Sequence, residues 1–134
     1  MKIDLGKNEL IHFVGVGGIG MSGLALIMNG LGYKVQGSDI ANNRNIGRLK
    51  EKKIRIFLDH KKENIKKTTV LVISSAIKKN NPELVEALKK NLPVYTRGDM
   101  LGHIVSFMRN VVITGSHGKT TTTSLVSSIF TAAN

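Results

Sequence analysis

Cysteine is absent from the 134-residue sequence. That excludes a disulfide framework and any thiolate metal site, and it fits a reducing compartment. Long apolar runs are missing as well: the stretch from Leu10 to Val16 is interrupted by His12 and Gly15 and is too short for a signal core or a membrane span. A cytoplasmic chain with no membrane partner is expected. Acidic residues are few, 9 against 20 lysines and arginines, for a formal charge of +11. Such an excess invites a nucleic-acid reading. However, aromatics make up only 4% of the chain, which leaves little for base stacking. The lysines fall in scattered pairs, Lys52-Lys53, Lys61-Lys62, Lys66-Lys67, Lys78-Lys79 and Lys89-Lys90, as on solvated faces. No nucleic-acid partner is expected, though the positive field favours small phosphate-bearing ligands.

What the chain does have is 41% hydrophobic residues, enough for the core of one ordinary domain and not of two. Apolar runs of strand length, Leu10 to Val16, Val35 to Gly37, Ile54 to Phe57, Val70 to Ser74, Val94 to Tyr95 and Val111 to Thr114, alternate with helical patterns. The helical patterns span Ile19 to Leu31, Asn45 to Lys53, Pro82 to Lys90 and Asp99 to Met108. This alternation predicts an α/β fold, a Rossmann-like, doubly wound parallel sheet with helices on both faces. Gly30 and Gly32 close the first helix, and Pro82 suits a first helical turn. The spacing divides the chain into residues 1–108, a complete nucleotide-binding unit, and residues 109–134, the first strand-loop-helix of a P-loop domain that stops short. The apolar residues of that second piece require cover, so self-association through it is a further expectation.

Two glycine loops carry the chemistry. Gly15-Val16-Gly17-Gly18-Ile19-Gly20 follows the first strand and opens the first helix. There glycines permit a tight turn and close approach to a pyrophosphate, and the helix amides face the anion. Asp39 follows at the end of the second strand, about 20 residues on, where a carboxylate can accept a ribose hydroxyl. These residues alone leave NAD, FAD and a UDP-sugar open. The second loop is Gly115-Ser116-His117-Gly118-Lys119-Thr120-Thr121, with Ile113 where the longer P-loop form has a glycine. Its amides would cradle ATP phosphates, Lys119 would reach the terminal ones, and the Thr120 hydroxyl would help hold Mg²⁺. A dinucleotide dehydrogenase uses the first loop and has no use for the second, whereas an ATP-dependent step on a nucleotide-linked substrate uses both.

The segments HFVGVGGIGMSGLA, GSDI, DHKKEN, ISSAI followed by NPE, RGDML and GSHGKTTTTS, in that order, resemble the Mur ligase family over essentially the whole chain. The likeness is greatest to its branch that joins L-alanine to UDP-N-acetylmuramate. Gly98, Asp99 and Ser116 depart from the residues expected there. The resemblance implies the substrate portion of an ATP-dependent ligase of peptidoglycan biosynthesis. In such an enzyme the ATP γ-phosphoryl passes to the muramate carboxylate, and the alanine amine attacks the resulting acyl phosphate. UDP-N-acetylmuramate would then lie on Gly15, Val16, Gly17, Gly18, Ile19 and Gly20, with Ser38 and Asp39 near the nucleoside and Ser74, Ser75 and Arg97 lining the pocket. ATP would lie on residues 115–121, with Lys119 and Thr120 as catalytic residues and Mg²⁺ on Thr120. The remaining catalytic groups are expected beyond Asn134, so that this portion binds substrate but catalyses nothing. His60 also matches the family pattern, though a lone loop histidine is more often a local hydrogen-bonding residue, and His12 and His103 read as structural. Two other classes stay open, an NAD(P)-binding oxidoreductase domain and a nucleotide-sensing module.

Overall fold

The computed structural model describes residues 3–114, and of Phe107 and residues 109–114 only the backbone. Five parallel strands are ordered β3-β2-β1-β4-β5: β1 (Leu10–Val14), β2 (Lys34–Ser38), β3 (Arg55–Phe57), β4 (Val70–Ile73) and β5 (Val94–Thr96). The helices are α1 (Ile19–Gly30), α2 (Arg44–Glu51), α3 (Pro82–Lys89) and α4 (Arg97–Thr114), with a short 3-10 helix, Lys62–Ile65, between β3 and β4. The order reverses between β1 and β4. In an open parallel sheet such a reversal leaves a crevice outside the carboxyl ends of the strands.

Residues alternate across β1, and each face finds its own cover. Ile11 and Phe13 pack with Met21, Leu24, Ala25 and Met28 of α1, Ile46 and Leu49 of α2, and Met100, Ile104 and Met108 of α4. Val14 packs with Ile65, Leu71 and, from α3, Leu84 and Ala87 on the other. Helices therefore cover both faces, as the alternation of patterns predicts. Caps set where the helices begin. Asn43 accepts from the Ile46 amide ahead of α2, and Asn81 accepts from the Glu83 and Leu84 amides ahead of α3, where Pro82 gives up no needed hydrogen bond.

One expectation is corrected. Val111 to Thr114 were expected to form a strand, yet α4 runs unbroken from Arg97 to Thr114. A strand satisfies its amides and carbonyls only beside another strand, whereas a helix already under way closes each new bond within itself. The expected P-loop, Gly115 to Thr121, and the rest of the segment through Asn134 lie outside the described residues.

Candidate functional site

At the carboxyl ends of the strands lies a cleft of about 690 Å³, within the usual range for small-molecule sites. Its lining draws on every strand end. Gly15, Gly18, Gly20 and Met21 come from β1 and α1, Asp39 and Ile40 from β2, and His60 from beyond β3. Ser74, Ser75 and Lys78 follow β4, Asn80 to Pro82 lead into α3, and Arg97 opens α4.

The glycine loop is tied down from beneath. The Gly15 and Val16 amides both donate to the Ser38 carbonyl, at 2.9 and 3.0 Å, and the Gly18 amide donates to the Gly15 carbonyl at 3.3 Å. Gly15 has φ +83°, and a Cβ there would stand 2.8 Å from the Ser74 hydroxyl, so conformation and space both demand glycine. Asp39 does not simply point outward. Its Oδ2 accepts from the Gly17 amide at 2.8 Å and its Oδ1 from the Ala41 amide at 3.1 Å. Asn43 and Asn45 donate to the Gly17 carbonyl, so Gly17 is clasped on both sides. The loop amides left for a ligand are those at the head of α1. Its N-cap, Gly18, has no side chain, no other side chain caps it, and its first turn contains no acid. Uncapped first-turn amides form a site for an anion, and Lys78 and Arg97 add positive charge to the same cleft.

Beneath the cleft lies a buried polar cluster built around Glu83, in the first turn of α3. This fully buried carboxylate takes hydrogen bonds at Oε1 from His12 Nε2 and the Ser38 hydroxyl, both at 2.6 Å. At Oε2 it accepts from Asn64 Nδ2 at 2.8 Å and the Lys61 amide at 3.2 Å, with His60 Nδ1 at 3.4 Å. Burial alone would raise the Glu83 carboxyl, but the donors, His12 foremost and then Ser38 and Asn64, outweigh it and hold the group below the ordinary glutamate value. The hydrogen bond from Asn64, with Lys61 beside it, outweighs desolvation and holds the Asp59 carboxyl below its ordinary value too.

Of the sequence-derived site residues, the structure brings Gly15, Gly18, Gly20, Asp39, Ser74, Ser75 and Arg97 together at the cleft. Val16, Gly17 and Ile19 belong to the same loop without lining it; Val16 and Gly17 are buried and Ile19 is exposed. Ser38 is fully buried and spends its hydroxyl on Glu83. His12 is structural, as expected, and His60 both lines the cleft and joins the cluster. His103 stands on α4 with its imidazole pushed down by partial burial. Sequence reasoning did not place Lys78 at the cleft, though it is exposed as the solvated-pair reading has it, and it missed Glu83, which looks like an ordinary acid in a helix's first turn. The signal for Glu83 was period 2: His12, Gln36 and Ser38 are polar residues on one face of adjacent central strands, and buried polar groups require partners. Among the described residues, no His, Asp or Glu cluster suited to a metal ion is found. No helix among them is long and apolar enough to cross a membrane.

Comparison with known proteins agrees with this geometry. Residues 10–109 match the model of the Mur ligase family, catalytic domain. The UDP-N-acetylmuramate--L-alanine ligase of Pelagibacter ubique (strain HTCC1062) is 66% identical over 130 residues, 97% of this chain and 28% of its own length. The crystal structure of the UDP-N-acetylmuramate-alanine ligase of Thermotoga maritima superposes with a TM-score of 0.63 at 33% identity, covering 75% of this chain and 22% of that one. The UDP-N-acetylmuramate:L-alanyl-gamma-D-glutamyl-meso-diaminopimelate ligase of Neisseria meningitides gives a TM-score of 0.61 at 28% identity over 66% of this chain and 28% of that one. The chain thus spans little more than a quarter of the length of the curated relative it matches.

Proposed function

The chain belongs to the Mur ligase family, and on that footing we propose that it is the UDP-N-acetylmuramate-binding portion of an ATP-dependent ligase that adds L-alanine in peptidoglycan biosynthesis. The observation that carries the reading is the cleft at the strand-order reversal. There the uncapped head of α1, Lys78 and Arg97 converge where a diphosphate would lie. The 66% identity to an L-alanine ligase over 97% of this chain favours alanine as the amino acid.

In this reading the residues of the cleft bind and orient. The α1 amides hold the diphosphate, Lys78 and Arg97 neutralise it, and Asp39, each of whose oxygens keeps a second lone pair, accepts a ribose hydroxyl while clasping Gly17. Held so, the muramate carboxylate would attack the ATP γ-phosphorus with release of ADP, and the alanine amine would attack the acyl carbon, expelling inorganic phosphate and losing a proton as the amide forms. ATP and Mg²⁺ fall to residues 115–121, with Lys119 reaching the phosphates and Thr120 at the metal. Those residues lie outside the described part. By itself the chain is expected to bind the sugar nucleotide and form no peptide bond, in the cytoplasm where such precursors are made.

Titration calorimetry of the chain with UDP-N-acetylmuramate, UDP, NADH and ATP tests the proposal. UDP-N-acetylmuramate should bind tightest, UDP more weakly and NADH not measurably. NADH binding above the sugar nucleotide would replace this reading with the oxidoreductase one.

A further inference from the structure

The cluster around Glu83 does more than fill the sheet. Gln36 Nε2 lies 2.9 Å from the Asn64 carbonyl, which can only accept, so that atom is the amide nitrogen and it donates. The same nitrogen sits 2.9 Å from His12 Nδ1, which must therefore be a bare lone pair. The proton of His12 is at Nε2, where it meets Glu83 Oε1. Ser38 has a single proton and spends it on Glu83 Oε1 at 2.6 Å, so its oxygen can only accept from other partners. His60 Nδ1 stands 3.1 Å from that oxygen and 3.4 Å from Glu83 Oε2. Facing two acceptors, it must carry the proton. His60 Nε2 is then bare in the neutral ring. It has no partner among the described residues, and since no buried side-chain polar atom among them goes without one, Nε2 is accessible to solvent on a residue that lines the cleft.

We propose that Glu83 is a positioning residue that locks His12 and His60 in opposite tautomers, and that it thereby makes His60 Nε2 a hydrogen-bond acceptor selecting a ligand N–H or O–H in the cleft. The ligand half of this statement rests on the nucleotide-sugar reading, and the tautomer half does not. An unconstrained neutral histidine favours the proton at Nε2, so the arrangement at His60 runs against its intrinsic preference and requires Glu83 with Ser38 to maintain it.

Long-range proton–nitrogen NMR correlations of the ligand-free chain, at a pH where both rings are neutral, report the tautomers directly. His60→Gln and His12→Gln assign the signals. The expected result is Nδ1–H at His60 and Nε2–H at His12; Nε2–H at His60 overturns the proposal whether or not any ligand binds. In Glu83→Gln, His60 should shift toward Nε2–H and affinity for UDP-N-acetylmuramate should fall about tenfold. A folded Glu83→Gln chain with His60 unchanged would also overturn it, and if that variant does not fold the wild-type spectrum still decides. On titration with UDP-N-acetylmuramate, the His60 Nε2 resonance should move as it accepts a hydrogen bond. His60→Gln, whose amide oxygen can stand near the Nε2 position, should keep affinity within about threefold while His60→Ala loses about tenfold. Saturation without movement at Nε2 refutes the acceptor role. Failure to bind at all, with the tautomers as expected, refutes the substrate reading and leaves the positioning role of Glu83 standing.

Discussion

Replacing glycine by alanine should have opposite effects at two places in this fold, and the distances decide which. At Gly37, in β2, a Cβ would lie 2.7 Å from Val16 Cβ and 2.8 and 2.9 Å from its two γ-methyls, against an ordinary carbon separation of about 3.5–4.0 Å. None of these atoms can simply swing away, because Val16 is fully buried and its amide is held by the Ser38 carbonyl. The glycine loop or the strand must move instead. Overpacking of this kind costs about 1–3 kcal/mol, which lowers Tm by roughly 4–12 °C at about 4 °C per kcal/mol for a chain of this size. At Gly47, within α2, nothing lies within 4 Å of the added Cβ. There alanine should stabilise by about 0.5–1 kcal/mol through helix propensity. Thermal unfolding followed by circular dichroism measures both. Binding of UDP-N-acetylmuramate should weaken at least tenfold in Gly37→Ala, as the loop is displaced, and remain unchanged in Gly47→Ala. A Gly37→Ala chain as stable as the parent would refute the claim that strand and loop are in obligatory contact. Adding Val16→Gly, which removes all three clashing carbons, should recover part of the binding.

Glu83→Ala leaves the buried His12 Nε2 and Ser38 hydroxyl without their acceptor, at a cost of about 3–5 kcal/mol measurable by urea unfolding; a loss under about 1 kcal/mol would mean that water replaces the carboxylate freely. Because the folded-state pKa of Glu83 is lowered, the stability it contributes is complete above the unfolded glutamate value and is lost as pH falls through the folded one. Urea midpoints taken from about pH 7 to about pH 3 should therefore decline more steeply for the parent than for Glu83→Gln, and parallel curves would count against an ionised carboxylate. Asn43→Ala removes the α2 cap at the Ile46 amide and should cost about 1 kcal/mol. Since Asn45 still holds the Gly17 carbonyl, affinity for the sugar nucleotide should change by less than about threefold, and isothermal calorimetry showing a larger loss would place Asn43 at the ligand.

The order of strands and helices was legible because each apolar run was long enough to show its period. In the second helix the buried residues are Ile46 and Leu49, three apart as one helical face requires. Val111 to Thr114 misled because β-branched residues score as strand wherever they stand. Their state depends on what lies beside them, and α4 arrives already helical. At the site, the position of the glycine loop was legible, since glycines between a strand and a helix mark a tight turn at the strand's carboxyl end. Side chains whose role comes from contacts distant in sequence were not. Glu83 meets His12 across 71 positions and Ser38 across 45, and no local pattern records such pairings. Lys78 was not legible either: it is as exposed as its neighbour Lys79, and only its place in the turn after β4 sets it among the residues that line the cleft.

Asp39 shows what geometry adds to a role that the pattern alone suggests. A carboxylate at the end of the second strand suggests a group waiting for a ribose, but both oxygens already accept from backbone amides, Gly17 and Ala41. The side chain therefore braces the loop before any ligand arrives, and the Ser38 carbonyl braces it from below. Ser38 is also where the two halves of the site join: its carbonyl holds the glycine loop, its hydroxyl meets Glu83, and its oxygen faces His60 Nδ1. The strand end that fixes the glycine loop thus also holds the His60 ring that lines the same cleft. A loop and an imidazole tied to one residue are ordered together before a ligand arrives, which spares binding the entropy of ordering them separately.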